Sequence, residues 1–174
     1  MSFMDTSTNE TKNNIGGAFA DGLTLVRALL TPIVMYVVVT GWPNNLNMVI
    51  LASILFAIAA LTDIFDDYAG GTEKSIYRKF GWFDDMADMT LILGTLFAML
   101  WVVFKNDMMS WAFVVPALII IAREVLVGLV KGSSFREIGW PQTSLGTAKT
   151  ALTMFAVCLL LASPWVTTLS LIHI

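Results

Sequence analysis

Five long apolar segments, separated by short polar stretches, dominate the pattern of hydrophobic and polar positions along the chain. They cover about residues 23–40, 48–69, 83–104, 109–130 and 145–165. About 20 apolar residues suffice for a helix to cross a bilayer, and a helix satisfies its own backbone hydrogen bonds in lipid. The alternating pattern of a porin-like strand is absent from the sequence. The pattern therefore predicts an all-α, integral-membrane helical bundle with five spans.

The polar stretches divide the chain further. Turn-forming residues follow the first segment at Gly41-Trp42-Pro43-Asn44-Asn45 and the second at Gly70-Gly71,. The first 15 residues are polar and lack the basic and apolar regions of a secretory signal, so we expect them to be disordered. We assign residues 1–20 to a polar N-terminal tail and residues 21–168 to one membrane domain.

The last six residues, 169–174, read Leu-Ser-Leu-Ile-His-Ile. A common transposon sequencing adapter encodes this sequence when it is read in frame. We interpret the segment as an artefact that cuts the natural sequence off after about Thr168. The only histidine, His173, would then not belong to the natural protein, and a sixth span would be expected. The alternative is a short natural tail.

Composition supports the membrane class. Hydrophobic residues make up 57 % of the chain and charged residues 13 %, and the mean hydropathy is +0.76,. No basic tract suggests a nucleic-acid partner. The single cysteine, Cys158, lies in an apolar run, so a disulfide framework is excluded,.

The distribution of basic residues predicts the orientation. Cytoplasmic loops of membrane proteins are enriched in Lys and Arg. An N-terminus inside the cell places six cations on the cytoplasmic side and only Lys105 outside. The six are Lys12, Lys74, Arg78, Lys79, Lys131 and Arg136.

Four aspartates interrupt this apolar chain at the inner ends of the second and third segments. An ionised carboxylate at the bilayer centre costs roughly 2.5–3.5 kcal/mol, and converging carboxylates repel one another unless a cation lies among them. Asp63 and Asp66 share one helix face, as do Asp84 and Asp88,.

Oxygen ligands without His or Cys favour Mg²⁺, Mn²⁺ or Ca²⁺. A pair of such ions could clamp a diphosphate while one carboxylate accepts a proton. Asp67 is either a fifth ligand or a solvated loop acid.

Asp63-Ile-Phe-Asp66, followed by Asp84-Asp-Met-Ala-Asp88, resembles the signature of the CDP-alcohol phosphatidyltransferase family. All four aspartates match the signature in type and spacing. The other signature positions differ: Asp67 and Phe80 stand where the family has Gly, and Gly70-Gly71 stands where it has Ala-Arg.

Three further segments are similar to phosphatidylglycerophosphate synthases of this family, and they occur in the same order. They are Leu23-Thr-Leu-Val-Arg27-Ala-Leu-Leu-Thr-Pro32, Ala122-Arg123-Glu124 and Gly146-Thr-Ala-Lys149-Thr150-Ala-Leu-Thr-Met154. The resemblance thus covers about residues 23–161.

The resemblance implies a reaction. The hydroxyl of an acceptor alcohol, here glycerol-3-phosphate, attacks the β-phosphorus of CDP-diacylglycerol, and CMP leaves. By analogy, Asp63, Asp66 and Asp84 bind Mg²⁺ or Mn²⁺, with one or two ions in the site. Asp88 contacts metal and acts as the general base.

The resemblance also implies substrate-binding residues. Thr24 and Arg27 would border the nucleotide, although an Arg at a helix end often only reaches for lipid headgroups. Asp67 would lie beside the diphosphate. The candidate cations for the acceptor phosphate are Arg123, Lys131 and Lys149. Alternatively, Arg123 forms an ion pair with Glu124, and Lys131 only orients the chain.

The expected partners are the two substrates, the lipid bilayer and, because family members are often dimers, a second copy of the chain. The expected location is a bacterial inner membrane with the N-terminus and active site in the cytoplasm. Two other functions stay open. One is an inactive or repurposed paralogue that binds metal without turnover. The other is a cation transporter, which predicts acids at mid-membrane depth in several spans.

Overall fold

The computed structural model describes the backbone of residues 3–70, 81–108, 110–132 and 144–172, with side chains over 21–63, 65, 86–108, 110–129 and 149–165. The described chain is all α-helical, which confirms the predicted fold class. The five helices are α1 (Phe3–Gly41), α2 (Leu46–Gly70), α3 (Gly81–Lys105), α4 (Trp111–Gly132) and α5 (Ser144–Ile172).

Four of these helices contain a stretch that is long and apolar enough to cross a membrane. The stretches are Asp21–Gly41, Leu46–Asp63, Met86–Lys105 and Trp111–Leu129. Within α5, the described apolar stretch Lys149–Trp165 is shorter. The protein is therefore an integral membrane protein with four full-length candidate spans and a shorter fifth apolar segment.

The N-terminal segment differs from the expectation of disorder. Helix α1 begins at Phe3, so the polar residues before Asp21 continue the helix of the first span. Residues 3–15 contain neither Gly nor Pro, the residues that oppose helix most strongly,. At the other end of the chain, α5 reaches Ile172; the interpretation of residues 169–174 as an artefact stays a prediction.

Helix α1 packs most extensively against α2 and α3, while α5 packs on α2, and α4 packs on α3. The buried core draws on several helices, with Val34, Phe56, Leu96 and Val157 all inaccessible to solvent. Large apolar side chains also cover the outside: Tyr36, Phe104, Leu129 and Leu152 are each about 70 % exposed. Such apolar exterior is what a lipid environment requires.

The turn between α1 and α2 is closely packed. The Asn45 N–H donates to the Gly41 carbonyl at 2.8 Å, and Asn45 Oδ1 accepts from the N–H groups of Asn47 and Met48 at 3.1 and 3.4 Å. This is the helix-capping role for which Asn is suited. A Cβ at position 41 would overlap the Met48 side chain, so the turn requires glycine there.

Trp42 connects this turn to α5 by a hydrogen bond. Its indole Nε1 donates to the Leu161 carbonyl at 3.0 Å. In a regular helix the N–H of residue 164 would donate to the carbonyl of Leu160, but Pro164 has no N–H. The Ser163 hydroxyl donates to that carbonyl instead, at 2.7 Å. The end of the bundle formed by the α1–α2 and α3–α4 turns is thereby fixed around Trp42.

Candidate active site

The opposite end of the bundle, where α2 ends and α3 begins, carries Asp63 and Asp88. We call it the acidic end. Asp63 closes the apolar stretch of α2, and Asp88 lies near the start of the apolar stretch of α3. Their side chains are only 10 % and 16 % exposed. The predicted meeting of the two acidic helix faces is thus observed for this pair.

Arg27 of α1 lies between the two aspartates. Its Nη1 atom is 3.2 Å from Asp63 Oδ1 and forms a hydrogen-bonded ion pair with Asp88 Oδ1. Arg27 is completely buried. The alternative in which Arg27 extends to lipid headgroups is therefore wrong, because the two carboxylates hold its guanidinium inside the bundle.

Close packing of α1 on α3 places Arg27 at this depth. The Thr31 hydroxyl donates to the Arg27 carbonyl at 3.0 Å, within the same helix. A Cβ built on Gly94 of α3 would lie 2.8 Å from Met35 Sδ and 3.6 Å from Thr31 Cγ2. The two helices therefore approach closely one turn beyond Arg27. Thr24, one turn before it, is also buried, at 2 % exposure, so both predicted nucleotide contacts lie on the inner face of α1.

The chemistry of Asp63 and Asp88 fits a divalent cation. Both carboxylates approach the same guanidinium nitrogen, so their oxygens converge on one point. Carboxylate oxygen is the ligand that Mg²⁺ and Mn²⁺ prefer. The side chains of Asp66, Asp67 and Asp84 lie outside the described residues. Among the side chains that are described, no group of three or more His, Cys, Asp or Glu could hold a metal.

A second polar cluster joins α4 to α5. Arg123 forms an ion pair with its neighbour Glu124 and donates to Thr153 Oγ1 at 3.1 Å. The Thr153 hydroxyl in turn donates to the Lys149 carbonyl at 2.9 Å. The Arg123–Glu124 ion pair, left open as an alternative, is therefore present, and the Arg123 side chain is still 36 % exposed.

The second cluster belongs to the same end of the bundle as the aspartates. A Cβ on Gly128 of α4 would lie 2.8 Å from the Cε atom of Met89, the residue after Asp88. Lys149 is exposed near the start of α5, and the side chain of Lys131 lies outside the described residues. Thr153 was not among the predicted site residues, although its position one helical turn after Lys149 was a usable signal.

A cavity of about 490 Å³ opens at the end of the bundle away from the aspartates. Trp42, Asn44, Trp101 and Lys105 contribute to its walls, and no carboxylate does. The cavity is thus distinct from the acidic end, and it is not a candidate for the predicted metal chemistry.

Comparison with known proteins identifies the family of the chain. The family described as CDP-alcohol phosphatidyltransferase matches residues 18–174. A CDP-diacylglycerol–glycerol-3-phosphate 3-phosphatidyltransferase of Rickettsia felis is 33 % identical over 141 residues, which cover 80 % of this chain and 72 % of the relative. The protein of the same name from Escherichia coli K12 is 31 % identical over 157 residues, covering 83 % and 78 %. No solved structure matches. The chain therefore belongs to the CDP-alcohol phosphatidyltransferase family, and it is a membrane-embedded transferase of phospholipid biosynthesis.

Proposed function

We propose that the protein transfers the phosphatidyl group of CDP-diacylglycerol to glycerol-3-phosphate and releases CMP. The observation that carries the proposal is the convergence of Asp63 and Asp88 at one point of the acidic end. The relatives from Rickettsia felis and Escherichia coli, whose names specify this donor and acceptor, support the choice of substrates. Family membership favours this enzyme over a cation transporter.

In the proposed reaction, the acceptor hydroxyl oxygen forms a bond to the β-phosphorus, and the bond from that phosphorus to CMP breaks. Asp88 takes the hydroxyl proton, and CMP leaves with the bonding electron pair. Asp88 is suited to this role because its side chain is mostly buried and yet, at 16 % exposure, still accessible. A positioned general base contributes typically 10²–10⁴-fold to rate.

Asp63, Asp66, Asp84 and Asp88 would hold Mg²⁺ or Mn²⁺, as one ion or two. The bound metal would neutralise charge on the diphosphate. The residues available to the acceptor phosphate are Arg123, Lys131 and Lys149. Arg123 supports this assignment best among the described side chains, because its side chain is partly exposed at the end of the bundle that carries the aspartates. Thr24 and Arg27 would border the nucleotide, and Asp67 would lie beside the diphosphate.

The orientation and assembly are part of the proposal. The positive-inside rule supports an N-terminus and acidic end in the cytoplasm of a bacterial inner membrane. Family resemblance supports a homodimer.

The test measures CMP release from labelled CDP-diacylglycerol by membranes containing the protein, with Mg²⁺ or Mn²⁺ and a panel of alcohols. Glycerol-3-phosphate should give the highest kcat/KM. Asp88→Asn should lower kcat by at least about 10²-fold. The matched control is Asp107→Asn, an exposed acid in the α3–α4 turn, which should retain the wild-type rate.

Asp67→Gly belongs in the same experiment, because it removes a negative charge from the position where the family signature has Gly. It should raise CMP release. Faster release with another alcohol than with glycerol-3-phosphate would contradict the proposed acceptor. No release with any alcohol would instead support the inactive paralogue.

A further inference from the structure

The position of Arg27 indicates how the carboxylates of the acidic end are held together. Its guanidinium is completely buried, and one of its nitrogens contacts both Asp63 and Asp88. These carboxylates come from different helices, α2 and α3, while Arg27 belongs to α1. A single side chain therefore joins three helices at the site where the reaction is proposed to occur.

The charge on Arg27 cannot be removed by deprotonation, because guanidinium stays protonated in proteins. Two mostly buried carboxylates without a cation would repel each other and would lack their hydration. Arg27 supplies the positive charge that removes both problems. It does so at the point where the carboxylate oxygens converge, which is also where a divalent ion would bind.

A divalent ion bound by Asp63 and Asp88 would lie close to the Arg27 guanidinium, and the two positive charges would repel each other. Two positive charges of +2 and +1 about 4 Å apart repel by about 2 kcal/mol even in water, and by more in a protein interior. Metal and guanidinium would also need the same carboxylate oxygens. Both cannot hold Asp63 and Asp88 in the arrangement that the structure shows.

We propose that Arg27 is an exchangeable internal cation, a positioning residue that pairs with Asp63 and Asp88 in the metal-free protein and releases them when Mg²⁺ or Mn²⁺ binds. This inference rests on the proposed metal site. The close approach of α1 and α3 at Gly94 holds the backbone of α1 against α3, so the proposed release is a movement of the Arg27 side chain. The released guanidinium presents planar paired donors that suit a phosphate group.

The test compares Mn²⁺ binding by purified wild type, Arg27→Gln and Arg27→Lys, with free Mn²⁺ measured by electron paramagnetic resonance. Arg27→Gln removes the competing charge, so its Kd for Mn²⁺ should fall by about tenfold or more. Arg27→Lys keeps the charge and should stay nearer the wild-type Kd. Lys105→Gln, which removes a cation at the far end of the bundle, should leave the Kd unchanged.

Thermal unfolding gives a second measurement. Without metal, Arg27→Gln should have a lower Tm than wild type, and saturating Mg²⁺ should raise its Tm by more than it raises that of wild type. A merely structural role for Arg27 predicts an unchanged Kd and a loss of Tm that metal does not repair. An unchanged or weaker affinity for Mn²⁺ in Arg27→Gln would overturn the proposal.

A third measurement needs no variant and covers the case in which Arg27→Gln does not fold. Phenylglyoxal modification of Arg27 in wild-type protein, followed by mass spectrometry, should be faster with Mn²⁺ than without it. Arg123, already partly exposed, is the internal reference. An Arg27 modification rate that Mn²⁺ does not raise would overturn the proposal. If the Mn²⁺ results hold but no CMP is released, only the proposed function fails.

Discussion

Two arginines near the acidic end differ in how their charge is used. Arg27 is enclosed and contacts two carboxylates, one on each of the neighbouring helices. Arg123 contacts its chain neighbour Glu124 and Thr153 but keeps about a third of its side chain exposed. A partly exposed arginine can still donate to an arriving phosphate, whereas an enclosed one must first leave its partners. The structure therefore distinguishes a partly exposed arginine, which we propose to face the acceptor, from an internal one.

At this scale we predict that Arg123→Gln raises the KM for glycerol-3-phosphate by about 10- to 100-fold. Charge-assisted hydrogen bonds contribute about 1.5–3 kcal/mol, and the variant would lose them to the acceptor phosphate. The KM for CDP-diacylglycerol should change much less. Steady-state kinetics with each substrate varied in turn measure both values.

Lys105→Gln is the charge-matched control for Arg123→Gln, since Lys105 ends α3 at the opposite side of the bundle. Equal increases in the two KM values for Arg123→Gln would show that Arg123 supports the α4–α5 contact rather than the acceptor.

At the scale of elements, the helices follow the apolar segments closely, but the turns depend on particular side chains. In the turn after α3, Asp107 has a φ of 53°, a left-handed conformation that Asp and Asn tolerate better than most residues. The Met108 N–H donates back to the Val103 carbonyl at 3.0 Å, which closes the helix end. The turn at Gly41 instead depends on the absence of a side chain.

We therefore predict opposite effects for two Gly→Ala substitutions in α1. Gly41→Ala places a methyl group onto the Met48 side chain and should destabilise the protein by about 1–3 kcal/mol. Gly22→Ala meets no atom within 4 Å and should be neutral or stabilising by up to about 1 kcal/mol, because Ala favours helix. Thermal unfolding in detergent measures both.

A Tm for Gly41→Ala equal to that of Gly22→Ala would contradict the tight α1–α2 turn. The comparison is matched, because both variants add one methyl group to the same helix.

At the scale of the whole molecule, the two ends of the bundle have different chemistry. The acidic end carries Asp63, Asp88 and Arg123, while the other end has the α1–α2 and α3–α4 turns around Trp42. Helices α2 and α3 each run between these ends, so both pairs of aspartates predicted from sequence fall on one side of the membrane. The proposed active site therefore lies at one end of the bundle.

We predict that the turns at Asn44 and Asn106 face the outside of the cell. In a Cys158→Ala background, Asn44→Cys and Asn106→Cys should react with a membrane-impermeant maleimide in intact cells, because both positions are exposed. Lys149→Cys, exposed near the start of α5 at the acidic end, should react only after the membrane is opened. The reverse labelling pattern would place the acidic end outside.

Local patterns in the chain predicted the helical membrane fold, the approximate apolar spans and the meeting of Asp63 with Asp88. These follow from local properties: the length of apolar segments and the spacing of residues along one helix. The spacing of the four aspartates, together with the three further similar segments, also suggested the family. Where the sequence predicted disorder in the first 15 residues, the structure has α1 from Phe3 onward, because polar composition alone does not prevent helix formation.

The positions of Arg27 and Arg123 emerge from the packing of the helices and not from the sequence pattern. Four aspartates in an apolar chain imply a positive charge among them, and a metal ion was the simplest candidate for that charge. For Arg27 the sequence left two roles open, contact with the nucleotide and contact with lipid headgroups, because the depth of a side chain depends on how its helix packs. Packing of α1 against α2 and α3, set by close contacts such as Met35 on Gly94, places Arg27 between Asp63 and Asp88. Such contacts join residues far apart in the chain, so no local pattern encodes them.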